Sequence, residues 1–411
     1  MAADYSVDER VFFFSMRNFM IAQRLLISTA AASTLLFSLT AGANAEVSAE
    51  AVVDGLKRQL ELQGMDFDAA SAELRGNDVV LSGVTVTPTS AENKFTIDQI
   101  LLEGVEDAGN GAFTVSRAGM PAFSNEKDGY TVAFEGAVLE GCFIAGPNET
   151  DPIAKGGFCR NYEVGGLTVA KSSTPVFELE GVSVAMSPYE AGGTMEYDVK
   201  VKDFTVDFTQ VDDPKAKATM GELGYQTLTG RVNATGQWDA GTGDASMSQA
   251  IILDDAAALN IDIAVGGYTP ELIAAMQEMN KQMQGQSDQA QGLAMMGLMQ
   301  QMQIGNITIE LIDDSATGKI LDFVAKQQGS TREGVVAMAK GTLPFALAQL
   351  QNPEFAASVT AAVGAFLDSP GSLKIAAVPA APVPVAQIVG AAMAAPQSVI
   401  GVLNIKVTAN D

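Results

Sequence analysis

An alternation of apolar and charged side chains between residues 195 and 208 constrains the fold of this chain more than any other feature. Every second residue from Met195 to Val201 is apolar, and the residues between them are acidic or basic. At Asp203 the alternation shifts by one position, and Phe204 begins a second apolar series. Because successive side chains of a strand point to opposite faces, this pattern predicts an antiparallel sheet with one buried and one wet face. The shift predicts a β-bulge or bend at Asp203.

Patterns elsewhere in the chain predict a mixture of strands and helices. An amphipathic helix is expected over residues 48–63, and single strands are expected over residues 130–139 and 176–186. Alternation at residues 259–265, 307–311 and 403–407 predicts further strands among helical segments. We therefore predict an α+β fold. A curved antiparallel β-sheet would form the N-terminal half, and a mixed, helix-rich C-terminal half would pack on it.

The same patterns suggest two domains after an N-terminal leader. Residues 46–210 are predicted as a β-rich domain with an N-terminal helix, and residues 211–411 as an α+β domain with a Met-rich helix pair. Within the second domain, three helix starts are marked by a capping residue followed by proline, at Asp213, Thr269 and Asn352.

A Leu-Glu-Gly sequence recurs after predicted strands, with glycine at positions 104, 141 and 181, and a looser copy ends at Gly83. One interpretation is a stack of similar strands that forms a long curved sheet. The other interpretation is recurrent glycine at strand ends or bulges. The irregular spacing of the repeats leaves both open.

The first 45 residues have the order of charge, apolar core and small residues that is typical of a secretory signal. Arg17 and Arg24 precede an apolar run, and Ala43-Asn44-Ala45 supplies the cleavage site before Glu46. Residues 1–15 are acidic and unusual for a leader, which suggests a later start codon. We expect cleavage after Ala45 and a periplasmic location, with retention as a membrane anchor as the alternative.

Two cysteines, Cys142 and Cys159, flank a loop rich in glycine and proline. Export would place them in an oxidising compartment, where such a pair normally forms a disulfide. A redox-active or metal-binding thiol pair is the alternative, but the spacing is not that of a C-x-x-C motif.

Charge and composition exclude several classes of function. The net charge is −25, and an acidic surface repels phosphate backbones, so we expect no nucleic-acid partner. The chain has no histidine, which removes Ser–His and Cys–His nucleophile pairs and most zinc sites. Residues 375–405 carry no charge, but their proline content argues against a membrane span after signal cleavage. It predicts an extended Pro-rich segment followed by a short buried helix. We expect no cofactor.

Carboxylates are the remaining candidate groups for catalysis or metal binding. Adjacent acidic pairs begin at Asp212, Asp254 and Asp313, each beside turn residues. Surface turns explain them, and a carboxylate-based hydrolase is the alternative. The loops at Asp107 and Asp239 are similar glycine-rich turns, for which calcium binding is the alternative.

Methionines form stripes at helical spacing on the predicted helix pair. Thioethers suit core packing, an adaptable groove for a hydrophobic ligand, or Cu(I) coordination, and all three remain open. The candidate residues for a hydrophobic ligand are Met276, Met279, Met283, Met295, Met299 and Met302.

The strand sequence at residues 79–86 and the segments at residues 228–239, 266–271 and 384–388 resemble uncharacterised exported β-rich proteins of Gram-negative envelopes. The Leu-Glu-Gly pattern resembles, more loosely, AsmA-type envelope proteins, whose repeated strands form a lipid-holding groove. The resemblance implies no catalytic residue. We therefore expect a non-enzymatic periplasmic protein that binds a hydrophobic ligand, such as a lipid, or an envelope protein. Cu(I) binding and a carboxylate-based hydrolase are the alternatives.

Overall fold

A computed structural model describes residues 47–89, 95–127, 129–282 and 288–411 of the chain. Its architecture is mixed, with helices and a large open antiparallel sheet, which confirms the α+β prediction at this level. The predicted leader, including Ala45 and Glu46, lies outside the described residues. The chain forms two compact units. The first contains the residues up to Arg117 together with Gly141–Cys159, and the second contains Ala118–Glu140 and Arg160–Asp411.

The first unit begins with the predicted helix, which Ser48 caps by accepting a hydrogen bond from the Ala51 backbone N–H. The Val52 and Leu81 side chains are completely buried in its core, and each such burial contributes about 1.5–3 kcal/mol. The elements that contribute to this unit are α1 (Ala49–Leu62), β1 (Met65–Arg75), β2 (Asp78–Pro88), β3 (Phe95–Gly109), β4 (Ala112–Met120) and β7 (Ala137–Ile144).

A buried polar side chain holds α1 against the cysteine loop. Gln59 is 6% exposed, and its Nε2 donates a hydrogen bond to the Phe143 carbonyl oxygen at 3.2 Å. Gly157 has a φ of +63°, and a Cβ atom there would lie 2.1 Å from Gln59 Nε2. Glycine at position 157 is therefore required by both the backbone conformation and the approach of Gln59.

The second unit is built on strands that follow one another along most of the chain. They are β5 (Phe123–Lys127), β6 (Tyr130–Phe134), β8 (Asn161–Val164), β9 (Leu167–Lys171), β10 (Thr174–Leu179), β11 (Val182–Met186), β12 (Thr194–Asp207), β13 (Thr227–Asp239), β14 (Ala245–Leu253), β15 (Ala257–Gly266), β16 (Gln303–Asp313), β17 (Ser372–Ala377), β18 (Val383–Pro384) and β19 (Ile405–Ala409).

These strands pair antiparallel in the order β5, β6, β9, β10, β12, β13, β14, β15, β16, β17, β19. β11 pairs with the other part of β12, and β8 pairs with β11. The register of β12 against β13 shifts between Val201 and Phe204, which confirms the bulge predicted at Asp203. The shift restores Phe204 to the same face as Val201.

The sheet is interrupted at the same level in neighbouring strands, at residues 135–136 and 180–181, and we call this interruption the crease. The predicted single strands at residues 130–139 and 176–186 are wrong, because the first breaks at Glu135–Gly136 and the second at Glu180–Gly181. Gly136 and Gly181 have φ values of +100° and +143°, which side chains rarely adopt. A Cβ on Gly181 would lie 2.6 Å from the Val164 carbonyl oxygen, so the close backbone approach also requires glycine.

Helices connect the later strands. The predicted caps form at Asp213, Thr269 and Asn352, each accepting a backbone N–H of the first turn. The helices are α2 (Pro214–Glu222), α3 (Pro270–Gln282), α4 (Asp288–Met299), α5 (Ala316–Gln328), α6 (Arg332–Ala348), α7 (Pro353–Asp368), α8 (Val385–Ala394) and α9 (Ser398–Val402).

Candidate binding face

One face of the second unit's sheet is apolar on seven neighbouring strands. The cross-strand register places Ile261, Ile309, Ile375 and Val407 in one row on β15, β16, β17 and β19. Because side chains alternate along each strand, the neighbouring rows on this side follow from the same register. We call this side the apolar face. Its members are Met195, Tyr197, Val199, Val201, Val232, Ala234, Trp238, Met247, Ile251, Leu259, Ile261, Ile263, Ile307, Ile309, Leu311, Leu373, Ile375, Ala377, Ile405, Val407 and Ala409.

An aromatic cluster covers the apolar face at β13. The Tyr189 and Trp238 rings stack with centroids 6.2 Å apart, and Trp238 Nε1 donates to the Tyr268 carbonyl oxygen at 2.7 Å. Tyr189 and Trp238 are buried, and burial raises the pKa of Tyr268 above its ordinary value of 10.0. Leu272, at the start of α3, is also buried. This part of the face therefore belongs to the core.

Helix α7 covers the opposite margin of the face. Val359 and Ala362 of α7 form a buried cluster with Val407 of β19, and Leu373 and Ala409 pack against it. Burying these aliphatic groups removes them from water and stabilises the attachment of α7 to the sheet.

The apolar face is open at β16 and β17. Ile309 is 40% exposed and Ile375 is 47% exposed, although Val407, in the same cross-strand row, is only 8% exposed. Exposure on this scale leaves adjacent β-branched side chains of two paired strands in contact with water. Contiguous apolar surfaces that stay uncovered are typical of regions that bind apolar ligands or partners.

Apolar side chains continue on this side of the sheet towards β5. Phe204, Leu179, Leu167, Phe134 and Phe123 form one row on β12, β10, β9, β6 and β5. The Phe123 and Phe134 ring centroids are 5.3 Å apart, and Phe123 is 46% exposed. The four other members of the row are half-buried.

The other side of the same strands, the polar face, carries most of their charged residues. Lys200 pairs with Asp198 at 3.2 Å, Lys374 pairs with Glu310 at 3.1 Å, and the Ser248 hydroxyl donates to Asp262 at 2.5 Å. A shallow cleft of about 890 Å³ crosses strands β11 to β16. Its polar lining includes Glu196, Asp198, Gln237, Ser246, Asp262 and Asn306.

The three acidic pairs have structural partners. Asp213 and Asp313 accept backbone N–H groups at the starts of α2 and α5, and Asp254 pairs with Arg231 at 2.8 Å. The Asp239 carboxylate accepts the Thr242 and Gly241 backbone N–H groups in its hairpin turn, and these bonds lower its pKa below 3.8. In the described part of the chain, no group of three or more acidic, Cys or His side chains is placed to hold a metal ion.

One polar cluster was not predicted. Tyr130 of β6 and Lys171 of β9 both bond the Asp212 carboxylate, which follows β12. The hydrogen bond from Lys171, with that from Tyr130, lowers the pKa of Asp212 below its ordinary value of 3.8. These residues lie far apart in the sequence, and only the strand order brings them together.

The cysteine prediction concerns the first unit. Cys142 lies on β7, and Cys159 follows the short loop that returns beside it. Their Sγ atoms are 2.02 Å apart, the distance of a disulfide, and the neighbouring residues Phe143 and Phe158 form an antiparallel bridge.

The methionine candidates lie on α3, on α4 and just before β16, and they are not part of the apolar face. Met276, Met279, Met295 and Met302 are half-buried, and Met299 is 41% exposed, while Met283 lies outside the described residues. Met296 and Leu293 are also exposed on α4. The helix pair thus presents flexible apolar groups to solvent rather than a closed core.

Ile375, on strand β17, is a residue of the open surface that the sequence interpretation missed. Residues 375–405 were interpreted as a Pro-rich segment with a short buried helix, so Ile375 was not assigned to a strand. A short helix does form there as α8, but the prediction that it is buried is wrong. α8 has no buried residue, and Met393 is 83% exposed. The alternation of Leu373, Ile375 and Ala377 is the signal that could have identified the strand.

Comparison with known proteins adds a partial match. A family model described only as an uncharacterized protein matches residues 250–410, which run from β14 to β19. This segment includes Ile309 and Ile375. No curated protein matches the chain. Among the residues that the structure describes, no helix combines the length and hydropathy needed to cross a bilayer.

Proposed function

We propose that this protein is a non-enzymatic envelope protein of the periplasm that binds the acyl chains of a lipid on its apolar face. The observation that carries the proposal is the exposure of Ile309 on β16 and Ile375 on β17, in the same cross-strand row as the buried Val407. Leaving such side chains in water costs free energy, and a bound acyl chain would recover it. The coverage at β13 and by α7 leaves the opening between them.

The chemistry of the face favours acyl chains over a protein partner. Its members are mainly Ile, Val, Leu and Ala, whereas protein interfaces are enriched in Tyr, Trp and Arg. Among the members on β12 to β19, Tyr197 and Trp238 are aromatic, and the phenylalanines of this side lie in the row towards β5. Trp238 is 5% exposed, so it offers no anchor to a partner.

The proposed location depends on the leader sequence ending at Ala45 and on the cysteine pair. We also keep as part of the proposal the predicted organisation of the chain, in which a helix-rich C-terminal half packs on a sheet formed by the N-terminal half. The methionines of α3 and α4 supply further adaptable apolar groups in the same compact unit.

Two isoleucines of β16 provide a matched test. Ile309 lies on the apolar face at 40% exposure, and Ile312 lies on the polar face at 42% exposure. We expect Ile309→Glu to weaken binding of a fluorescent acyl-chain phosphatidylcholine at least about tenfold, because a carboxylate would have to be buried against the chain. Ile312→Glu should bind like the wild type.

Light scattering of the same variants separates the alternatives. Equal loss of lipid binding in Ile309→Glu and Ile312→Glu would contradict the proposal. It would also be contradicted if Ile309→Glu only converted a dimer to a monomer, because the face would then bind a second copy of the chain.

A further inference from the structure

The distribution of charge between the two faces bears on which part of a lipid the protein recognises. Between the row of Leu311 and the row of Ile307, the apolar face contains no acidic or basic residue on β14 to β19. Gln249 is the polar position there. Beside these rows, Glu310 and Lys374 project from the polar face, where they pair with each other. Asp313 lies on the apolar side beyond the row of Leu311, at the end of β16, where it accepts the Thr317 backbone N–H at the start of α5.

A head group held by the protein would need such partners. Phosphate is bound by Arg, Lys or clustered backbone N–H groups, and the backbone N–H groups of β16, which pairs with β15 on one side and β17 on the other, are occupied in the sheet ladders. The face can therefore contact the hydrocarbon of a ligand and leaves its head group in water. Removing hydrocarbon from water is non-directional and depends on the buried area.

We infer that the apolar face selects its ligand by the acyl chain and is indifferent to the chemistry of the head group. This inference rests on the proposed function. The ligand class is thus a lipid in which a head group of any kind stays outside the site. An anionic head group is disfavoured only by the overall negative charge of the protein.

That repulsion has a distinct signature. The net charge of −25 acts at a distance, and salt screens it over a Debye length of about 30 Å at 0.01 M and about 3 Å at 1 M. An anionic lipid should therefore bind more weakly than a zwitterionic lipid at low salt, and equally at high salt. A head group bound in a dedicated pocket would keep its preference at both salt concentrations.

The test uses the full chain and three lysolipids with the same acyl chain, carrying choline, ethanolamine or glycerol head groups on the phosphate. Each competes with a fluorescent acyl-chain phosphatidylcholine, and glycerophosphocholine serves as the head group without a chain. We expect affinities within about twofold of each other at about 1 M salt, weaker binding of the anionic lysolipid at about 0.01 M, and no competition by glycerophosphocholine.

A head-group preference of more than about tenfold at high salt, or competition by glycerophosphocholine, would overturn the inference while leaving lipid binding intact. Failure of every lysolipid and of the fluorescent lipid to bind would instead contradict the proposed function.

Discussion

Ile309 on β16 and Ile375 on β17 face each other in antiparallel register, and both are among the most exposed large apolar side chains of the sheet. On the other side of Ile375, its partner on β19 is Val407, which α7 buries. The boundary between covered and open surface therefore falls between two adjacent strands. This boundary leads to the first prediction.

Truncation of the covered Val407 and of its open partner Ile375 should lower the free energy of unfolding by different amounts. Val407→Ala should lower the free energy of unfolding by about 2 kcal/mol, because it leaves a cavity under α7. Ile375→Ala removes more carbon but should cost about 1 kcal/mol, since the side chain is already half in water. Urea denaturation monitored by circular dichroism gives both values. A larger loss for Ile375→Ala than for Val407→Ala would show that the face is closed.

The crease predicts a strong requirement for glycine. Gly181→Ala combines a φ of +143° with a Cβ only 2.6 Å from the Val164 carbonyl oxygen, and we expect a loss of about 1–3 kcal/mol. Gly221→Ala in α2 is the control, because it meets open space on a helix and should be neutral or stabilising by up to about 1 kcal/mol. The melting temperatures of the two variants, measured by thermal unfolding, test this difference in stability. Similar melting temperatures would contradict the proposed strain.

The cysteine pair should stabilise the protein by restricting its unfolded state. The pair closes a loop with a sequence separation of 17, and a loop of this size contributes about 3 kcal/mol in the chain-entropy account. Reduction with dithiothreitol, or the double variant Cys142→Ser with Cys159→Ser, should lower the free energy of unfolding by a similar amount. The loss should appear as a shift of the urea midpoint to lower concentration. The double variant should be insensitive to dithiothreitol. An unchanged midpoint on reduction would contradict the prediction.

The Asp212 cluster predicts an acid-dependent contribution to stability. The bonds from Lys171 and Tyr130 depress the pKa of Asp212 in the folded state relative to its value of about 3.9 in the unfolded state. The stabilisation is therefore present above about pH 4 and is lost as the pH falls through the lower folded-state pKa. In carboxyl-detected NMR titrations, Lys171→Met should raise the pKa of Asp212. Lys374→Met, which removes a lysine paired with Glu310, should leave it unchanged.

Local patterns in the sequence predicted the features that depend on neighbouring residues. The bulge at Asp203 follows from a one-residue shift within a single strand, and the caps at Asp213 and Asn352 follow from side chains that bond the next turn. These features need no knowledge of the partner strand or of tertiary packing.

Features that depend on strand order could not be predicted in the same way. The crease requires glycine at Gly136 and Gly181 because other strands approach them, and a sequence does not show which backbone will lie opposite. The open part of the apolar face at β16 and β17 depends on where α7 packs. The methionine stripes were the more conspicuous signal, but the alternation at Ile375 marked the open surface.

Photo-crosslinking tests the central claim most directly. A phosphatidylcholine with a diazirine in its acyl chain would be bound to the full chain, irradiated, and its adducts located by mass spectrometry. The account predicts adducts on β16 and β17 around Ile309 and Ile375, which an excess of unlabelled lipid prevents. Adducts confined to the polar face around Asp262, or no adduct that unlabelled lipid prevents, would contradict it.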